Sequence, residues 1–208
     1  MTHWQVQPPQ SLNTHALDIG RGDHVLSQNL SFSVAAGRGL LLRGPNGAGQ
    51  STLLLTLARL LPALAGDFEW VGHDADEGRA LHYCGHRNAV RPRLTTAETL
   101  DFWAAINGRG DMSGDAALAR VGLTRQAKLD AGYLSAGQQR RLALARLLVS
   151  PRPVWLLDEP SAALDAAGHT LLATLISEHL AAGGMAIIAT HDDIAVPDLS
   201  VLTLEGRR

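Results

Sequence analysis

The stretch GPNGAGQST, Gly44 to Thr52, carries glycine, glycine and hydroxyl at the spacing that a phosphate-cradling loop needs. The pattern is G-x-x-x-x-G-K-[ST]. Its glycines let the backbone close on phosphate oxygens, successive N–H groups point at the anion, and its lysine reaches the β- and γ-phosphates. Gly44, Gly49 and Ser51 keep that spacing, but position 50 is Gln50. A lysine there supplies charge-assisted hydrogen bonds worth about 1.5–3 kcal/mol net, which glutamine cannot match. The exchange predicts roughly 10- to 100-fold weaker ground-state binding, with a larger loss open in catalysis because charge shifts during phosphoryl transfer. Taken alone, the loop reads equally well as a plain glycine-rich strand-to-helix turn.

Two further segments separate those readings. VWLLDEP, Val154 to Pro160, ends an apolar run on paired carboxylates. In a nucleotide site Asp158 would hold Mg²⁺, usually through water, and Glu159 would activate the attacking water. LSAGQQRR, Leu134 to Arg141, lies just upstream. Its Ser135 and Gly137 open a helix whose amino terminus can point at a phosphate. A carboxylate pair at a strand end is common. All three segments in this order are not.

The elements that must position these residues alternate between strand and helix. Strands are expected through VLSQNLSF, up to Val34 and around Leu40–Leu42, with the glycine loop following at once. STLLLTLARLLPAL forms a helix ended by Pro62 and Gly66. DFEWVG and ALHYCG are short strands; Thr95-x-x-Glu98 is a capping box opening a helix to Asn107, and GDAALARVG is a shorter helix. LSAGQQRRLALARLLVS is apolar nearly all round and should be buried. PVWLLDEP and MAIIATHDD read as buried parallel strands flanking an amphipathic helix that Gly183-Gly184 closes, and SVLTLEGRR as a final strand. The expectation is an α/β core within one domain, 1–208, interrupted by a mostly helical sub-domain over residues 87–150.

Composition is compatible with that architecture. The 208 residues are 46% hydrophobic, enough for one good core. Eighteen Lys+Arg against 20 Asp+Glu give a formal charge of -2, so no global basic field argues for nucleic acid. A single cysteine, Cys84, excludes an internal disulfide and fits a reducing compartment. The amino terminus MTHWQVQPPQ lacks the pattern of a signal peptide, and no apolar run reaches bilayer-spanning length, so a membrane role is expected through partners.

With these motifs in place, nearly the whole chain resembles the nucleotide-binding domain of ATP-binding cassette (ABC) transporters, a P-loop NTPase fold. GPNGAGQST looks like the Walker A loop, LSAGQQ the signature, VWLLDEP the Walker B strand, SAALD (Ser161 to Asp165) the D-loop, and His191 in IIATHDD the switch histidine. The resemblance implies a head-to-tail dimer holding ATP between Walker A of one copy and Ser135, Gly137 and Gln138 of the other. It makes Gly44, Pro45, Asn46, Gly47, Ala48, Gly49, Gln50, Ser51 and Thr52 the phosphate cradle, Ser51 and Asp158 the Mg²⁺ ligands, Glu159 the base, and His191 and His86 γ-phosphate sensors. The short chain, the segment HYCGHRNAVRPRLTTAETLDFW (His82 to Trp103) and LSAGQQRRLALARL are similar to the ATPase of the bacterial cytochrome c maturation haem exporter, the CcmA type. That implies integral membrane transporter subunits as partners, haem export for c-type cytochrome biogenesis, and a peripheral place on the cytoplasmic face of the inner membrane.

Some residues depart from the pattern or invite a second reading. Apart from Gln50 the motif residues are intact, which argues against long neglect; the functions open are an energy-coupling ATPase, for haem or for another transported substrate, and a non-hydrolysing assembly subunit that uses nucleotide only to hold its dimer or its partners. A soluble ABC ATPase of the nucleic-acid kind generally needs two cassettes or a long coiled coil, and neither is evident. DIGRGDHVL offers no adenine-stacking aromatic, leaving Arg21 or His24 as substitutes. His82, Cys84 and His86 would share one face of a strand, but no fourth metal ligand is near and a buried strand is the better reading. Arg87, Arg91 and Arg93 form either a solvated loop or a contact for a membrane subunit. Trp70, Trp103 and Trp155 read as packing residues.

Overall fold

Leucine and isoleucine runs such as LLL at 40–42 and AII at 186–188 are too continuously apolar for a sheet with one wet face, and they lie where both faces are covered. The computed structural model describes residues 6–73 and 80–205. Its strands are β1 (Ser11–Arg21), β2 (His24–Leu30), β3 (Ser33–Ala35), β4 (Gly39–Arg43), β5 (Ala65–Val71), β6 (Leu81–Cys84), β7 (Val154–Asp158), β8 (Met185–Ala189) and β9 (Ser200–Thr203). Its helices are α1 (Gln50–Leu57), α2 (Thr96–Asn107), α3 (Gly114–Arg120), α4 (Ala136–Val149) and α5 (Ala166–Ala181).

A five-stranded, all-parallel sheet runs in the order β6-β7-β8-β4-β9. Alternation along its strands divides the core. Leu40 and Leu42 join Leu12, Leu17 and Ile19 of β1 and Leu53, Leu54 and Leu57 of α1 on one face. Leu41, Leu157 and Ile188 meet α4 and α5 on the other. Helices α2, α3 and α4, all between β6 and β7 in the chain, surround a third cluster that includes Leu100, Leu118 and Leu142. The Thr95–Glu98 capping box forms as expected, with both reciprocal bonds present.

One expectation needed correction: α1 stops at Leu57, well before Pro62. Arg59 takes a left-handed backbone (φ 55°), and the N–H groups of Leu60 and Leu61 both turn back to the Leu55 carbonyl. The Arg59 guanidinium then lies 4.9 Å over the Phe68 ring of β5, drawing the chain off the helix axis. The strand expected at DFEWVG forms as β5 and lies outside the parallel core. It pairs antiparallel with β1, in a second sheet with β2 and β3.

Candidate functional site

Because every strand of the core sheet is parallel, the carboxyl ends of β4, β6, β7 and β8 share one edge, the place where open α/β sheets bind ligands. β4 delivers Gly44, β6 delivers Gly85 and His86, β7 ends on Asp158 and Glu159, and β8 runs into Thr190 and His191. The glycine loop can close here only as glycine. Gly44 sits at φ 145°, and a Cβ on it would stand 2.4 Å from the Leu204 carbonyl oxygen. Gly49, at φ 108°, caps α1. The first turn of α1 therefore presents its backbone N–H groups beside Gly44–Gln50, as an anion site requires.

The polar side chains around that loop are already engaged with each other. Ser51 Oγ donates to Asp158 Oδ1 at 2.9 Å, and the Tyr83 hydroxyl donates to Asp158 Oδ2 at 3.3 Å. Asp158 is only 4% exposed, so these bonds are what its burial requires. Burial and the neighbouring Asp158 carboxylate push the Tyr83 phenol up to about 12, which keeps it a donor. Gln50 Nε2 donates to the Gly44 carbonyl at 2.9 Å, so the amide braces its own loop. Arg21, from the end of β1, donates through Nε to Thr52 Oγ1 at 3.3 Å, while His24 stands exposed opposite it across the β1–β2 turn.

Glu159 and His191 meet across the carboxyl ends of β7 and β8, with Glu159 Oε1 3.6 Å from His191 Nε2. Glu159 holds a left-handed backbone (φ 49°), and its N–H donates to the Ala189 carbonyl at 2.7 Å. The His191 turn is tied from below by Arg43. One guanidinium donates to the Thr190 and Asp192 carbonyls and the Asp193 carboxylate, each at 2.9 Å, bracketing the histidine. Ser161 and Thr190 share a hydroxyl hydrogen bond at 3.0 Å, which fixes the start of SAALD to the same edge.

The signature residues stand apart from this cluster. Among the described residues no hydrogen bond joins Ser135, Gly137 or Gln138 to Gly44–Thr52 of the same chain. Ser135 caps α4 instead. Its Oγ accepts from the Gln138 N–H at 3.3 Å, and Gln138 Oε1 accepts from the Ser135 N–H at 3.0 Å. The Gln138 side chain is thus spent on the cap, whereas the Ser135 hydroxyl keeps its proton to donate outward. Gly137 abuts the segment SAALD, where a Cβ would come within 2.7 Å of the Ala163 carbonyl oxygen. Arg141 and Asp165 close the same contact at 2.5 Å.

The His82–Cys84–His86 arrangement does not form a common face. β6 ends at Cys84, and His86 lies beyond it, exposed. His82 is buried with Nε2 2.5 Å from the Ser150 carbonyl, and burial holds its pKa near 3. Among the described residues no group of three or more His, Cys, Asp or Glu is arranged to hold a metal. Arg87, Arg91 and Arg93 are exposed, with Arg91 3.8 Å over the Phe102 ring. Trp155 is core, stacked on His179 at 3.9 Å, and Trp103 lies under Arg146. Sequence reasoning passed over Tyr83, Arg43 and Arg140. For Arg140 a signal existed, since a helix apolar on every side cannot keep an arginine in water.

Residues 27–162 match the model of the ABC transporter family. The chain is 46% identical over 191 residues to the cytochrome c biogenesis ATP-binding export protein CcmA of Rhodospirillum rubrum, covering 89% of this chain and 82% of that protein. It is 47% identical over 188 residues to the protein of the same name in Rhodobacter capsulatus, covering 90% and 84%. Among solved structures, an ATP-binding cassette captured as a post-hydrolysis dimer with ADP and Pi superposes with a TM-score of 0.79 at 23% identity, over 95% of this chain and 97% of that one.

Proposed function

The chain belongs to the ABC transporter family, and from that membership we propose that it is the ATP-binding subunit of an export complex for cytochrome c biogenesis, with haem as the cargo. The observation that carries the reading is the convergence on one sheet edge of the phosphate loop, Ser51 on Asp158 at 2.9 Å, and Glu159 within 3.6 Å of His191. ATP lies with its phosphates along Gly44, Pro45, Asn46, Gly47, Ala48, Gly49, Gln50, Ser51 and Thr52. Glu159 takes the proton of the attacking water. His191, held by Arg43 through the carbonyls on either side of it, meets the γ-phosphate, as does His86.

A hydroxyl and a carboxylate in contact form the hard oxygen donor set that suits Mg²⁺, so Ser51 and Asp158 fit that ion. When bound it supplies charge neutralisation at the β- and γ-phosphates. Ser135 is exposed, and Gly137 and the cap residue Gln138 lie half-buried, at the start of α4. A second copy, packed head to tail, presents its nucleotide to that helix terminus. Residues 87–150 serve as the helical sub-domain. Among the described residues no helix is long and apolar enough to cross a membrane. Integral membrane subunits supply the transport path and hold the chain at the cytoplasmic face of the inner membrane.

Gln50 favours a second reading, a non-hydrolysing subunit that binds nucleotide only to hold the assembly, because its amide is turned to Gly44. ATP turnover by the chain co-purified with its membrane subunits separates the two, beside Gln50→Lys and Glu159→Gln. Turnover in the Gln50 chain that Glu159→Gln abolishes supports a working motor. Turnover in the lysine form alone supports a disabled one, and turnover indifferent to Glu159 would refute both.

A further inference from the structure

Helix α4 carries a charge where its sequence suggests none belongs. Arg140, one turn beyond the Ser135 cap, is 1% exposed, and no carboxylate among the described residues pairs with it. A guanidinium does not lose its proton in a protein, so this is a buried cation whose oxygen acceptors are all backbone carbonyls, with its Nε left without a partner. Nη1 donates to the Gly85 carbonyl at 3.1 Å and lies 3.9 Å from Cys84 Sγ. Nη2 donates to the His86 carbonyl at 3.3 Å and the Glu159 carbonyl at 2.9 Å. One rigid fork therefore joins the signature helix to two other site segments, the turn after β6 and the turn after β7.

The Glu159 turn is where such a clamp matters most. Its left-handed backbone is strained for a residue with a side chain, and such strain persists only where surroundings over-determine it. Here the N–H is held by Ala189 of β8, and the carbonyl accepts from Arg140 of α4 at 2.9 Å and from the Ala162 N–H at 3.1 Å. The carboxylate is aimed toward His191 from a peptide pinned on both sides.

We propose that Arg140 is a positioning residue that makes the aim of Glu159, and the place of His86, depend on how the amino-terminal end of α4 is seated. Docking of a second copy's nucleotide on Ser135 and Gly137 is then felt at the base of the same chain. This coupling rests on the head-to-tail arrangement and on Glu159 as base, whereas the clamp itself does not.

The test uses the full chain and its Arg140→Gln and Arg140→Lys forms. Cys84 is the sole cysteine and is 1% exposed, so its reaction with a water-soluble disulfide reagent reports opening of the α4–β6 contact without any turnover. Arg140→Gln is expected to raise that rate at least ~10-fold, with Arg140→Lys in between, since an ammonium keeps the charge and loses the fork. Leu142→Ala, chosen to lower Tm comparably within α4, should leave it near the parent rate. In the complex with its membrane subunits, made in the Gln50 and Gln50→Lys forms, Arg140→Gln should lower kcat by roughly 100-fold, the usual effect of misplacing a reacting group by about 1 Å. KM for ATP should change less than ~3-fold, because none of Arg140's hydrogen-bond acceptors lies in Gly44–Thr52. In a Glu159→Gln background the same change should cost nothing further. Cys84 reacting at the parent rate in both Arg140 variants would overturn the clamp. A rise in KM parallel to the fall in kcat, or a full extra loss beside Glu159→Gln, would overturn the coupling. If no form turns over ATP, the proposed function fails and the thiol measurement still decides the clamp.

Discussion

Replacing Gln50 with lysine tests whether the missing charge is the reason this loop departs from its family. In the structure the Gln50 amide donates to the Gly44 carbonyl at 2.9 Å. To reach a phosphate it must leave that acceptor, exchanging one neutral hydrogen bond for another at a net gain near zero. Glutamine should therefore contribute little to nucleotide affinity. Lysine adds charge-assisted bonds worth about 1.5–3 kcal/mol, so Gln50→Lys should tighten MgATP and MgADP binding by roughly 10- to 100-fold. Gln50→Ala should stay within about 3-fold of the parent, because it loses only an exchange that nets to nothing. AMP has neither a β- nor a γ-phosphate, so its affinity should not respond to the lysine. Isothermal titration of all three nucleotides into the three forms, at one fixed ionic strength, checks this. An equal gain for AMP would show that lysine acts through loop conformation instead of charge. A loss in Gln50→Ala as large as the gain in Gln50→Lys would show that the glutamine binds phosphate after all.

Other consequences are testable on the isolated chain. His82 and His179 are neutral in the fold, held near 3 and 4 chiefly by burial, whereas in the unfolded chain both titrate near 6.5. Below that value the unfolded state binds more protons, so stability falls as pH drops from 6.5 towards 4. At about 1.4 kcal/mol per pH unit for each group, the loss by pH 5 is roughly 4 kcal/mol, visible as a lower urea midpoint against pH 7.5. Ser135→Asp keeps the helix cap and adds a negative charge where a phosphate should dock. Its Tm should match the parent while ATP-dependent dimerisation, read by light scattering, disappears; Ser135→Ala should instead cost about 1 kcal/mol of stability. Asp193→Asn should leave Tm at the parent value, because its carboxylate is fully exposed. Arg43→Met removes the bonds on both sides of His191 and should lower Tm measurably and turnover with it.

How far the sequence disclosed this arrangement depended on whether the signal was local. Gly44–Thr52, the apolar run into Asp158 and Glu159, and the Thr95–Glu98 cap are legible because type and spacing alone dictate the turn, the buried parallel strand and the helix start. The long strand β1 was not legible. Its buried positions break phase between Thr14 and Leu17, and its pairing with β5 shifts register between His15 and Asp18. The early end of α1 was hidden too, since Arg59 turns left-handed toward Phe68, a contact that exists only once β5 is in place. The same holds for Arg43 and Tyr83, and for the partners of Arg140, of which the apolar helix could signal only the burial. Their partners are 147, 75 and 19 residues away for Thr190, Asp158 and Glu159, and most of those contacts are to backbone carbonyls that carry no sequence signature.

Those carbonyl contacts have a common physical logic. An edge that must receive a polyphosphate gains nothing from structural cations neutralised by buried carboxylates, because each such pair cancels field the ligand needs. Backbone carbonyls satisfy an arginine's donors while leaving its full charge in place. Arg140 is held by three of them, Arg146 donates to the Tyr83 carbonyl, and Arg43 binds two, with its one acidic partner standing fully in solvent. Of the acids at the edge, Asp158 and Glu159 are the two we propose for the chemistry, and Asp158 is met by hydroxyls instead of a cation. On the proposed reading, charge near the cradle comes from groups that also hold its loops, and Gln50 braces the cradle itself through the Gly44 carbonyl.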